Sequence, residues 1–336
     1  MDFFAGGNLM KPKIEDVAKL AGVSRTTVSR VLNNRGYISN ETREKVQKAM
    51  EELNYFPNDV ARSLFNKRSN LIGLILPTTS NPFFGELSFY LENICASFGY
   101  KVLLCNSLNQ IDKEEKYLEM LLRNQVDGII VGTHNRGILN YKKQGLAVVA
   151  IDRYLSETIP VVCSDNYEGG KIATELLISN GCNHIVLIDG IGELETPARL
   201  RRKAYLNVME KHGKIPKIYE IPGVFDPNSH LAIIRKVFSE YPEVDGVFAT
   251  NDLFAASFIN EAKRRGKNVP SDIKVVGYDG TETAQTLLPE LTTIKQPIEA
   301  IAKAAVEILL KEIEGEFIDF PLETKLPIKL IKGVTA

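Results

Sequence analysis

Long apolar runs, paired cysteines and clustered histidines are all missing from this sequence of 336 residues. No stretch approaches the roughly 20 apolar residues that span a bilayer, so no membrane-crossing helix is expected. The opening MDFFAGGNLM has neither the basic start nor the longer apolar stretch of a secretory signal. Residues 1–9 read as a tag remnant or an upstream extension, and a cytoplasmic location is expected. The cysteines are Cys95, Cys105, Cys163 and Cys182, and none forms a CxxC pair. His134, His184, His212 and His230 stand at no metal-ligand spacing from them. Small buried thiols in a reducing compartment are the expectation, with no metal site and no cofactor.

Catalytic signatures are equally scarce. GIGELE at 190–195 has two glycines but lacks the third of a dinucleotide fingerprint. There is no GxxxxGK[ST], no HExxH and no nucleophile elbow. An enzyme is not expected.

A net excess of either charge is also nearly absent, since 41 Lys/Arg stand against 42 Asp/Glu and the net value is −1. The distribution is uneven. Residues 11–68 hold 12 Lys/Arg against 7 Asp/Glu, a net +5, while 69–336 hold 29 against 34, a net −5. A basic module on an acidic one suits a head drawn to phosphate and a body that does not hold it there non-specifically.

The pattern changes at the same place. Ile14, Val17, Ala18 and Ala21 follow helical spacing, with Gly22 as the exit. Ser24 is placed to cap a second helix with Val28, Val31 and Leu32 inside. Ser39 is placed to cap a third, striped by Val46, Ala49, Met50 and Leu53, and Pro57 ends the unit. Residues 58–68, NDVARSLFNKR, have helical propensity but are too short to be stable alone. From Asn70 onward short β-branched runs alternate with helical stretches: 71–77, 101–105, 127–132, 147–151 and 160–163, then again 184–189, 245–249 and 273–277. Apolar strands joined by helices predict parallel sheets covered on both faces. VDGIIVG (126–132) and VDGVFAT (244–250) echo one another, which suggests two similar units with a cleft between them. The fold expected is a small all-α helix-turn-helix head plus an α/β core of two doubly wound subdomains.

The string EDVAKLAGVSRTTVSRVLN followed by TREKVQKAMEELNYFPNDVARSL closely resembles the lactose-repressor (LacI/GalR) family, from Met10 to the end of the chain. SNPFF (80–84), AID (150–152), SDN (164–166), ATND (249–252), VVGYD (275–279) and LTTIKQP (291–297) resemble that family's core motifs. TTSNPFFGEL, LLCNSLN and DKEEKYLEMLLRNQVDGIIVGTHNRGI are similar in particular to the sucrose operon repressors of Gram-positive bacteria.

The resemblance implies a periplasmic-binding-protein-like core and a homodimer on double-stranded, pseudo-palindromic operator DNA, controlled by a small sugar: sucrose, fructose or a sugar phosphate. It implies a head at 11–57, a hinge at 58–68 and a core at 69–336. The core divides into about 69–164 with 297–326, and about 165–296 with 327–336. Ser24 caps the reading helix, Arg25 and Thr26 fall where bases are read, and Thr27, Ser29, Arg30 and Asn33 match positions contacting bases or phosphates. Asn58, Ala61 and Leu64 fall on a hinge helix that enters the minor groove, with Leu64 as the wedge between base pairs. Lys13 departs from the usual Ser or Thr cap.

In the core Asp279, Asn251 and Arg201 match positions that bind effector hydroxyls, and Phe83 and Phe225 would face a sugar ring. Asp152, Asn135 and Gln296 are secondary candidates, and Asp252 reads as structural. Arg153, beside Asp152, together with Arg201 suits a phosphate. The chain ends soon after LPIKLIKGVTA, so the tetramer-forming tail of some relatives is not expected. Two other readings remain open: a global regulator with a phosphocarrier co-repressor, and a free sugar-binding protein, which would need a signal peptide and no basic head.

Overall fold

The computed structural model describes residues 12–33, 35–56, 68–133, 145–190, 196–223, 226–315 and 321–336. The expected site residues Asn58, Ala61, Leu64, Asn135 and Phe225 lie outside them. The chain divides into two units, Met1–Ser69 and Asn70–Ala336.

In the first unit three helices, α1 (Ile14–Leu20), α2 (Arg25–Leu32) and α3 (Asn40–Glu52), close over Val17, Ala18, Val28, Val46 and Ala49. The turn between α1 and α2 works because Gly22 takes a φ of +66°, where a Cβ would be strained. Ser24 and Ser39 each accept a bond from the backbone N–H three residues on, as N-caps do. Lys13 supplies no side-chain cap, but its own N–H donates to Asp16 at 2.8 Å. Half of a capping box survives the departure from Ser or Thr.

The second unit contains two six-stranded sheets. The strands are β1 (Leu71–Leu76), β2 (Lys101–Asn106), β3 (Gly128–Val131), β4 (Ala147–Ile151) and β5 (Val161–Ser164), then β6 (Ile185–Gly190), β7 (Lys217–Ile221), β8 (Gly246–Ala249), β9 (Lys274–Asp279) and β10 (Thr292–Lys295). Two short strands, β11 (Glu323–Leu326) and β12 (Lys329–Ile331), follow. The first sheet runs β11-β5-β4-β3-β1-β2, all parallel. The second runs β12-β10-β9-β8-β6-β7 and is parallel except where β12 meets β10. These are the two parallel sheets expected from the apolar runs, the second carrying one antiparallel edge strand. Only Pro327 and Ile328 separate β11 in the first sheet from β12 in the second.

Helices cover both faces of each sheet, and a short α10 (Glu282–Leu287) follows β9. α4 (Pro82–Ser97) and α11 (Ile298–Glu314) bury Leu87, Leu91, Ala302 and Leu309 on one face of the first, and α5 (Ile111–Arg123) buries Leu118 and Leu121 on the other. On the second sheet α8 (Pro227–Glu240) and α9 (Asp252–Arg264) share one face, stacking Phe238 on Phe258. α6 (Asn166–Ser179) and α7 (Arg199–Lys211) share the other, with Ala173, Leu177, Tyr205 and Met209 inside. All four cysteines are buried and free.

The echoed VDG motifs prove to be structural equivalents. β3 and β8 hold the same place in their sheets. Asp127 accepts from the Asn70 N–H just before β1, and Asp245 from the Asn183 and His184 N–H groups just before β6. Each aspartate ties down the start of its neighbouring strand.

The chain passes between the sheets three times: from β5 into α6, from β10 into α11, and from β11 to β12. α6 and α7 approach closely because a Cβ on Gly170 would lie 2.5 Å from the Arg201 carbonyl oxygen, and one on Gly169 would lie 2.5 Å from the Tyr278 hydroxyl. Replacing Gly170 by Ala should therefore force these helices apart. A loss of about 1–3 kcal/mol is expected from such overpacking, measurable by denaturant unfolding; unchanged stability would mean that α6 and α7 adjust freely.

Candidate functional site

Most of the core candidates meet where strands end. Asp152 follows β4, Asp279 closes β9, Ser164 closes β5, Thr250 follows β8 and Gln296 follows β10. These are the C-terminal ends of strands in both sheets, the usual position of a ligand crevice in α/β folds.

Arg201, in the first turn of α7, is the centre. Its Nε donates to Asn166 Oδ1 at 2.6 Å and its Nη1 to the Thr250 carbonyl at 2.8 Å. Its guanidinium lies 3.6 Å from the centre of the Tyr278 ring. Asp152 and Asp279 stand 3.8 Å away on different nitrogens. Burial opposes the charge on Arg201, but Tyr278 and the surrounding carboxylates hold its pKa above the usual arginine value.

The bonds continue into a ring. Asn166 donates to Asp152 Oδ1 at 3.0 Å and to the Ser164 carbonyl. Ser164 donates to Gln296 Oε1, and Gln296 Nε2 to Asp279 Oδ1, both at 2.7 Å. Asp152 and Asp279 both take positive φ, +56° and +107°. Such backbone costs on the order of 1–3 kcal/mol and recurs where a side chain must be aimed.

Burial raises the Asp279 carboxyl to about 8, with Asp252 adding to the rise and Arg201 opposing it. Asp252 is raised in the same way to about 6. Its oxygens accept from Thr293 at 2.6 Å and from the Gly280 N–H at 2.8 Å, so it pins the turn after β9. Asn251 caps α9 through the Phe254 N–H, which engages its carbonyl oxygen. Phe83 packs edge-to-face on Phe84 within the first sheet's core and makes no recorded bond to the ring. Asn166, Tyr278, Thr250 and Ser164 are not among the site residues expected from the sequence. Ser164 and Thr250 carry the same signal as the aspartates, a polar residue at a strand's C-terminal end, whereas Asn166 opens a helix and Tyr278 lies within an apolar strand.

In the head Ser24, Arg25, Thr26 and Arg30 are exposed, while Thr27, Ser29 and Asn33 are half-buried. Asn33 donates back to the Ser29 carbonyl at 2.8 Å. Arg25 pairs with exposed Glu15 at 3.0 Å. The first turn of α2 carries no acidic residue, leaving its N–H groups and positive dipole end suited to an anion.

The raised Asp279 has a consequence for stability. In the unfolded chain this carboxyl ionises near the ordinary 3.8, and in the folded chain near 8. The folded state thus holds the extra proton between these values, and its stability contribution is full below about 4 and lost as pH rises through about 8. Asp279→Asn, which keeps an oxygen for Gln296, should lose this dependence. Urea unfolding from pH 5 to 8.5 checks it: a wild-type-minus-variant difference that stays flat would refute the raised pKa.

Residues 13–58 match the model of bacterial regulatory proteins of the lacI family, and 174–335 match the periplasmic binding protein-like domain. The chain is 45% identical to a sucrose operon repressor of Pediococcus pentosaceus, over 97% of this chain and 100% of the relative. It is 40% identical to a ribose operon repressor of Halalkalibacterium halodurans, over 95% of each. Among solved structures it is similar to the lac repressor dimer bound to operator and the anti-inducer ONPF, with a TM-score of 0.84 and 27% identity over 96% of this chain and 98% of the other. With a three-helix head, a twin-sheet core and relatives matching nearly end to end, the chain belongs to the lacI family of bacterial regulatory proteins and is a regulator rather than an enzyme.

Proposed function

We propose that this chain is a cytoplasmic, homodimeric repressor of transcription that binds a pseudo-palindromic operator and whose DNA affinity is set by a small sugar at the strand ends of its core. The observation that carries this reading is the ring Asp152, Asn166, Arg201, Asp279, Gln296 and Ser164, drawn from both sheets. Carboxylates, amides and a guanidinium are the groups that read hydroxyls. Relatives named for sucrose and ribose operons support the ligand class, and the operator-bound lac repressor dimer supports the DNA partner and the dimer.

Functionally the chain divides into a reading head at 11–57, a linking segment at 58–68 and a sensing core at 69–336. Arg25 and Thr26 read base edges, and Thr27, Ser29, Arg30 and Asn33 contact bases or phosphates. To reach a guanine, Arg25 must leave Glu15. An exposed ion pair is worth only about 0.2–1 kcal/mol, against about 1–3 kcal/mol for a bidentate guanine contact, so the exchange favours DNA. Asn58, Ala61 and Leu64 act in the minor groove, with Leu64 as the wedge. Sugar and operator bias one conformational equilibrium from opposite ends, so their effects on each other are reciprocal.

Titrating operator binding by fluorescence anisotropy with sucrose, fructose, glucose and ribose tests this. One sugar should change affinity by about 5–150-fold. The sugar reading is wrong if none does and a phosphorylated carrier protein alone tightens binding. Arg25→Ala should cost about 1–3 kcal/mol on the operator and relax choice at one base pair. Equal loss on random DNA would reduce Arg25 to a phosphate contact.

A further inference from the structure

Away from the ring, a further bond joins the elements of the two sheets. Glu86, in the second turn of α4 on the first sheet, accepts from the backbone N–H of Glu282 at 2.8 Å. Glu282 opens α10, which follows β9 of the second sheet. The first N–H groups of a helix have no partner inside it and favour a carboxylate. Here the carboxylate comes from the other sheet's helix, 196 positions earlier in the chain. Burial raises the Glu86 carboxyl above its usual range, with the charge of Glu282 adding to the rise and the Glu282 N–H and Lys295 opposing it. Tyr90, one turn along α4, faces the same place: burial, then the charges of Glu282, Glu86 and Glu299, push its hydroxyl up. Glu86 and Tyr90 thus meet α10 as one face of α4.

The far end of this bond is tied to the ring. Only Gly280 and Thr281 separate Glu282 from Asp279. The Gly280 N–H donates to Asp252, and its carbonyl accepts from Gln285 Nε2 at 2.6 Å. Thr281 caps α10 through the Ala284 N–H. Gly280 takes a φ of +58°, and a Cβ there would lie 2.7 Å from the Lys295 Cα, so the turn lies tight against β10. Asp279 and Glu282 therefore move with the second sheet, and any shift of that sheet against the first stretches the bond to Glu86.

Resting on the sugar-binding reading above, we propose that Glu86 is a positioning residue that straps α4 to α10 and holds the two sheets in the arrangement that binds the operator. The sense follows from the ring. In the strapped arrangement its groups bond one another, Ser164 to Gln296 and Gln296 to Asp279. A sugar takes such donors and acceptors for its own hydroxyls, so it favours an arrangement in which they are parted. The strap opposes the sugar and sides with the operator.

Operator binding by fluorescence anisotropy and sugar binding by calorimetry test this on the full chain, with sucrose, fructose, glucose and ribose as probes. Losing one hydrogen bond to a carboxylate moves such an equilibrium about 3–10-fold. In Glu86→Ala the responding sugar should bind tighter and the operator weaker, so that the ratio of the two affinities changes by that factor. Glu86→Gln keeps an acceptor for the Glu282 N–H and should stay within about twofold of the wild type. Thermal unfolding verifies that each variant folds. A merely loosened core would weaken both ligands together. Loss of both affinities in Glu86→Ala, or an unchanged ratio, overturns the inference and leaves the sugar reading standing. So does a Glu86→Gln variant that behaves as Glu86→Ala does. A weaker sugar with a tighter operator also overturns it, because the strap would then serve the sugar. If none of the four sugars alters operator binding by the wild type, the sugar reading and the inference fall together.

Discussion

A guanidinium almost cut off from water is the constraint on which the rest of the core depends. Taking an arginine out of water costs several kcal/mol unless its donors and charge are met. Arg201 meets them through four separate segments: Asn166 at the start of α6, the Thr250 carbonyl past β8, the Tyr278 ring in β9, and carboxylates from the ends of β4 and β9. Each of these must arrive in place, so the cation specifies how the layers stack. Gly169 and Gly170 belong to the same requirement, because any side chain there would hold α6 away from Tyr278 and from the backbone of Arg201.

The same cluster sits on the connections between sheets. Ser164 ends the strand before the first passage and Gln296 immediately precedes the second, and the two are bonded at 2.7 Å. The proposed sugar-binding ring and the passages between the sheets are therefore not neighbours joined by a pathway. They are the same residues. A ligand that exchanges bonds with Asp279 or Asn166 acts on the passages at once, and no intervening chain of packed side chains is needed to carry the effect.

Much of this was legible in the sequence. The helix spacing, Gly22, Ser24 and Ser39 located the head, because caps and turns depend on a few residue types with a local reason for being there. The β-branched runs located eight strands to within a residue or two at each end. The strands that escaped notice had a physical reason to. KIYEI at β7 has only Ile221 fully buried on a sheet edge, ETKL and KLI are short, largely uncovered edges, and TTIK at β10 buries two threonines that read as loop. At the site the aspartates announced themselves by following apolar runs. Asn166 did not, because an Asp-Asn pair before a helix reads as capping, and Asp165 does cap α6. Tyr278 looked like one more apolar strand residue. Only its partner, 77 positions earlier in the chain, gives it a role, and one-dimensional periodicity carries no such information.

The bond between Ser164 and Gln296 also bears on how such a regulator changes over generations. On the proposed reading, a substitution that reshapes the wall to admit a different sugar also shifts the conformational equilibrium shared by sugar and operator in the absence of any sugar. New taste and resting output are thus inherited together. A lineage moving to a different carbon source would pass through forms that are always on or never relieved, unless a second change at one of the passages resets the balance. Relatives with different sugars should therefore differ in pairs of residues, one in the wall and one at a passage, more often than in the wall alone.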